Sequence, residues 1–196
     1  MLETDEPVRY SAAVHALVEP LPLNELGPGQ PHRALRPQLE ALSHAALWPG
    51  QTVVDAQLAD CCRAGLWLLH NYLDESHTIS QSVETSTGSF WHGIMHRREG
   101  DYSNAKYWFR RVDSDHRVFE QLGLDAKGVL GRAASSGSAA KLAAGDWDPF
   151  TFVDLCRAAR PGSTDETVCR ELQQLEWRRL FDHCYRGAVG MKGLDR

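Results

Sequence analysis

No run of about 18 consecutive apolar residues occurs in this chain, so no helix able to cross a bilayer is expected. The first nine residues, Met1 to Arg9, are acidic and hold no apolar stretch, and they do not read as a signal peptide. Strand-period alternation never persists beyond a few residues, which argues against a sheet. No CxxC pair exists, so a thiolate zinc site is not expected. The five cysteines (Cys61, Cys62, Cys156, Cys169 and Cys184) are odd in number, and two of them are adjacent. They read as reduced thiols of a cytoplasmic protein. Excess positive charge is lacking too. The formal net charge is −5, which argues against a nucleic-acid partner or a membrane-surface role. The HExxH, GxSxG, GxxxxGK[ST] and GxGxxG motifs are all missing. "GVLGRAASSGSAAK" resembles a phosphate loop only superficially.

What is present fits one helical domain. At 196 residues, 42% apolar and 24% charged, the chain has ordinary globular composition. A domain of this size removes about 70% of its unfolded surface from water. The expected fold class is all-α: a single compact helical domain of roughly seven to nine helices. Residues 1–50 form an N-terminal helix and a Pro-rich arm that packs on the domain, and residues 51–196 form the helical domain itself. Residues 19–37 carry five prolines and two glycines. Tyr10, Val14, Leu17 and Val18 fit an amphipathic helix before them, and Ala34 to Leu47 fit a short one after.

Thr52 can cap a long helix with Val54, Leu58, Cys62, Leu66, Leu69 and Leu73 at period 3.6. "SHTISQSVETSTGS" reads as a loop or a short extended piece. Helical spacing returns at 90–98, Gly100 breaks it, and Asp101 or Ser103 starts a helix through about Val112. Residues 116–133 give one or two short helices, and "AASSGSAAKLAAGD" a loop or weak helix. Asp148-Pro149 opens another helix. "STDE" at 163–166 is a capping box for one running to about Tyr185.

The densest stretch is "FWHGIMHRREGDYSNAKYWFRRV", residues 90–112. Ala105, Phe109 and Val112, with Gly93 before them, resemble one helical hairpin of a tetratricopeptide repeat. No second copy follows, so a solenoid is not implied. The stretch, together with "LDESHTISQ" and "WDPFTFVDLC", is also similar to a family of conserved, uncharacterised proteins of bacteria and fungi. That resemblance spans most of residues 60–185 and implies no particular activity.

Two histidine stripes suggest chemistry. His92, His96 and Glu99 stand at i, i+4, i+7, and so do His70, Asp74 and His77. If the two carrying helices pack antiparallel, His77 comes near His92 and His70 near Glu99. Imidazole and carboxylate suit a divalent transition metal, and helical bundles build such sites from facing helices. The metal ligands expected are His77, His92 and His96 with Asp74. The catalytic set is His77, His92, His96 and Glu99. If no metal is held, one imidazole serves as general acid–base.

The neighbouring Arg97, Arg98 and Lys106 suit a small anionic or sugar-like ligand, with Glu75, Trp91 and Trp108 completing the expected substrate-binding residues. A plainer account places Arg97, Arg98, Arg110 and Arg111 on exposed faces beside Asp113, Asp115 and Glu120. The histidines would then belong to a hydrogen-bonded network. The alternative function is a non-catalytic helical interaction or scaffold module, including a homo-oligomer.

Overall fold

Side-chain caps define most of the helices. A computed structural model describes residues 8–131, 142 and 146–191. Among these are ten α-helices and no strands. Ser11 caps α1 (Ala12–Val18). A 3-10 turn at Arg33–Leu35 leads into two one-turn pieces, α2 (Arg36–Glu40) and α3 (His44–Leu47). Asp55, not Thr52, caps α4 (Ala56–Leu69) by accepting from the Leu58 amide.

The long helix expected through Leu73 is broken. His70 ends α4, Asn71 takes the left-handed region at φ 64°, and α5 (Leu73–Ser80) starts in a new direction. Part of the expected loop at 76–89 is therefore helix. α6 (Ser86–Glu99) is capped by Thr85 and closed by Gly100 at φ 88°. Asp101 caps α7 (Tyr102–Phe109). One helix, α8 (Arg117–Leu130), covers the segment expected to hold one or two. α9 (Pro149–Ala158) starts at Asp148-Pro149, and α10 (Thr164–Ala188) is capped by Ser163. Apart from buried, helical Leu142, the expectation for residues 133–145 lies outside the described residues.

α6 is the axis of the fold. Twelve of its fourteen residues are buried, all but Ser86 and Glu99. It packs against α4, α5 and α7, while α10 packs against α4, α8 and α9. Phe90 meets Phe109 and Phe119. Trp91 points the opposite way, close enough to Gly65 of α4 that a Cβ there would sit 2.7 Å from its ring. Its indole nitrogen donates to Cys184 Sγ at 3.4 Å. All five cysteines are buried and unpaired. No helix among the described residues is long and apolar enough to cross a membrane.

Two of the arginines expected on exposed faces are interior. Arg97 is 1% exposed, and its guanidinium makes a forked ion pair with Glu176, which is 0% exposed. The Phe152 ring lies 4.4 Å from it. Burial pushes the Glu176 carboxyl above its ordinary value, against the pull of the guanidinium. Arg98 is 2% exposed and donates to the Gly27 and Pro28 carbonyls and to Asn71 Oδ1.

That arm is rich in proline, so it offers carbonyls but few amide donors. The domain answers with side-chain donors. Arg170 reaches the Leu23 and Asn24 carbonyls, Gln173 the Glu25 carbonyl, and Gln174 the Leu21 carbonyl.

Removing one partner of a buried ion pair strands the other. Glu176→Ala is therefore expected to cost about 3–5 kcal/mol in urea unfolding, and the apolar double variant Arg97→Met/Glu176→Leu to recover most of it.

Candidate metal centre

The break at Asn71 and the turn at Gly100-Asp101 together assemble the site. The first turns α5 so that His77 faces α6. The second folds α7 antiparallel onto α6: Asn104 falls beside His96, Trp108 beside His92, and the Asp113 amide donates to Ser86 Oγ at 2.8 Å. His77, His92 and His96 each offer a ring nitrogen, and these lie within 4.8 Å of one another. The His77 ring is 4.7 Å from that of His92 and 5.4 Å from that of His96. His92 and His96 are 1% and 6% exposed, while His77 is half-buried.

The hydrogen bonds set the tautomers. His96 Nδ1 donates to Glu99 Oε2 at 2.9 Å, which leaves Nε2 as its lone-pair atom. Asn104 Nδ2 lies 3.1 Å from that atom, and His92 Nε2 lies 3.0 Å from it. The His92–His96 pair thus shares one proton, supplied by His92 Nε2. His92 Nδ1 is left buried with no partner. The His92 ring lies between His96 and Trp108, whose ring stacks on it at 3.9 Å and 15°. Burial, then the neighbouring His96 and His77, pushes the His92 imidazole down to about 3.

Several residues expected here are elsewhere. His70 lies on the far side of the break. Its Nε2 donates to the Leu17 carbonyl at 3.0 Å and its Nδ1 faces His32, so it anchors α1 and does not approach Glu99. The Asp74 carboxylate is not in the imidazole group. With Glu75 and Glu99 it lines an adjoining groove of about 660 Å³ that Arg33, Arg36 and Asn71 complete. Glu75 pairs with Arg36 at 2.9 Å. Trp91 faces the core, Arg97 is consumed by Glu176, and Arg98 holds the arm. Lys106 pairs with Asp154 at 2.6 Å.

Trp108 and Glu99 do touch the cluster, each through one histidine. Asn104 was missed by the sequence reasoning. Its signal was its place three residues after the Asp101 cap, in the first turn of a helix folded back on His96. No family model matches the chain, and no similar protein was found among curated proteins or solved structures.

Chemically, the arrangement offers three nitrogen donors, one of them oriented by a carboxylate, beside an aromatic wall. Structural imidazoles occur elsewhere and titrate separately. Burial pushes both His70 and His116 down to about 4. His116 caps α8 through Nδ1 and donates from Nε2 to Thr87 Oγ1. A depressed folded-state value means that the unfolded chain takes up the proton first. The stability that His70 and His116 contribute is therefore expected to be full above pH about 6.5, to fall toward pH about 4, and to level below. In urea unfolding at stepped pH, His116→Asn, which keeps a capping side chain, should flatten that fall by about one proton, or about 1.4 kcal/mol per pH unit.

Proposed function

We propose that His77, His92 and His96 hold a divalent transition-metal ion and that the protein is a metal-dependent enzyme of hydrolytic type. The carrying observation is the convergence of three imidazole nitrogens within 4.8 Å, two of them on buried residues and one on half-buried His77. Imidazole ligands suit zinc and its neighbours. The 3.0 Å between His92 Nε2 and His96 Nε2 is close to the separation of about 3.3 Å that two tetrahedral ligands take at metal–nitrogen distances near 2.0–2.1 Å. A cation can therefore replace the shared proton with little movement, while that proton passes to His92 Nδ1.

Glu99 supports the reading. Metal-binding histidines commonly donate their second N–H to a carboxylate, which fixes the ring and its tautomer. His96 does so. His92 has no such partner: its Nδ1 is buried and unpartnered, and would stay so with Nε2 on the ion. A buried polar atom without a partner costs about 1–3 kcal/mol, and such atoms call for an explanation beyond packing. An ion held by His77, His92 and His96 would supply an activated water or polarise a carbonyl or phosphoryl oxygen. The chain's own residues orient and enclose. Glu99 would fix His96 through its Nδ1–H, Trp108 would cover one face of His92, and the Asn104 amide would release the His96 Nε2 lone pair to the ion.

The test is titration of tag-free protein with Co(II) and Zn(II). One ion per chain is expected, with a visible Co(II) ligand-field band. His92→Ala and His96→Ala should abolish it while helical circular dichroism persists, and His44→Gln, at a distant surface pair with Asp60, should not. Glu99→Gln should weaken affinity roughly 10–100-fold. If Co(II) in excess gives no such band in the wild-type protein, the proposal fails.

A further inference from the structure

We infer that the ligand of the three-histidine site is a small anion-bearing ester or amide, with Arg111 holding its negative end. The inference rests on the metal reading above and adds the substrate class. The cations first expected to bind an anion are all engaged: Arg97 with Glu176, Arg98 with the arm carbonyls, and Lys106 with Asp154. Arg111 is different. It is exposed, and among the described residues it forms no ion pair. Its guanidinium donates to the Tyr107 hydroxyl and lies 5.2 Å from the Tyr107 ring and 5.3 Å from the Trp108 ring.

Trp108 is the ring that stacks on His92. The two legs, 3.9 Å from His92 to Trp108 and 5.3 Å from Trp108 to the guanidinium carbon, place Arg111 within about 9 Å of the His92 ring. A guanidinium offers five N–H donors, and only one is taken here. Two aromatic faces and a hydroxyl restrict its orientation before any ligand arrives, so little ordering is left to the binding step.

Charge points the same way. Three neutral imidazoles would leave a bound divalent ion with its full charge, and Arg111 adds another beside Trp108. A negative ligand is drawn to both. The groove beyond Glu99 is mixed in charge, with Asp74, Glu75 and Glu99 beside Arg33 and Arg36, and Glu75 pairs with Arg36. Carboxylates accompany the arginines there, whereas Arg111 pairs with none among the described residues, so an anionic group favours the Trp108–Arg111 side. A substrate with its carbonyl at the ion and a carboxylate or phosphate a few bonds away satisfies both contacts.

Hydroxamates bind a metal directly, so they separate the two contacts. The probes are butyrohydroxamate, which is neutral, and the monohydroxamate of succinic acid, which has the same chain length and a terminal carboxylate. Each is titrated into Co(II)-loaded protein and followed by the visible band. The charged probe is expected to bind about five- to tenfold tighter in wild-type protein, with the gain shrinking at high salt. Arg111→Gln should erase the gain and leave the Co(II) band and the neutral probe's affinity unchanged. Arg110→Gln should leave the gain intact. A normal Co(II) band with no gain in wild type, or with an undiminished gain in Arg111→Gln, overturns the anion assignment alone. Absence of the band in wild type overturns the metal reading and this inference with it.

Discussion

A helix enclosed on every side must bury whatever its sequence carries. α6 has buried residues from Thr87 to Arg98 without interruption, and six of these twelve are polar: Thr87, Ser89, His92, His96, Arg97 and Arg98. A buried polar group left without a partner costs free energy comparable to a lost hydrogen bond, and a buried charge costs more. The surrounding elements are therefore selected by what they can offer α6. α10 supplies Glu176 to Arg97. The loop after α4 and the N-terminal arm supply oxygens to Arg98. α5 and α7 supply His77, Asn104 and Trp108 to the two histidines. Neighbouring residues on one helix thus point into chemically different surroundings, with the ion pair on one side and the imidazoles on another.

The arm follows from the same constraint. Its prolines remove amide donors, so its carbonyls cannot be satisfied by pairing with a strand or by forming a helix. Arg98, Arg170, Gln173 and Gln174 satisfy them instead. In doing so the arm covers the side of α6 and α10 that would otherwise leave these long polar side chains without partners. Arg98 and the arm are mutually dependent: one lacks acceptors without the other, and the other lacks donors.

The fold class was legible because caps and period are local signals. Asp148-Pro149, Ser163 with Glu166, and Gly100-Asp101 each set a boundary where the residues themselves make the hydrogen bonds. Convergence of His77, His92 and His96 was legible from spacing once antiparallel packing was assumed. What misled was α6 itself. Polar residues around its whole circumference imitate a solvated helix, and nothing local marks Arg97 as interior. Its partner Glu176 lies 79 residues away on α10. The fate of His70 was equally hidden. Its spacing with Asp74 and His77 assumed a continuous helix, but Asn71 sits in the left-handed region, which Asn tolerates better than most residues. One backbone conformation moved His70 to the far side and brought His77 into the cleft.

That same break separates two kinds of imidazole by a physical criterion. His70 and His116 each have both ring nitrogens engaged in a way that fixes the fold: His70 between Leu17 and His32, His116 between Thr87 and the Val118 amide. The group around His92 is not closed in this sense. One of its nitrogens has no partner, another shares its proton with a second imidazole, and the third ring stands at the rim. A network serving stability alone would gain by closing, for instance by a hydroxyl beside His92 Nδ1 or an apolar ring in place of His77. The partly satisfied arrangement sits at the one place where α5, α6 and α7 all present nitrogen donors, next to an aromatic wall and an arginine without an acid. Stability left unclaimed at such a position supports the proposed ligand site without requiring one.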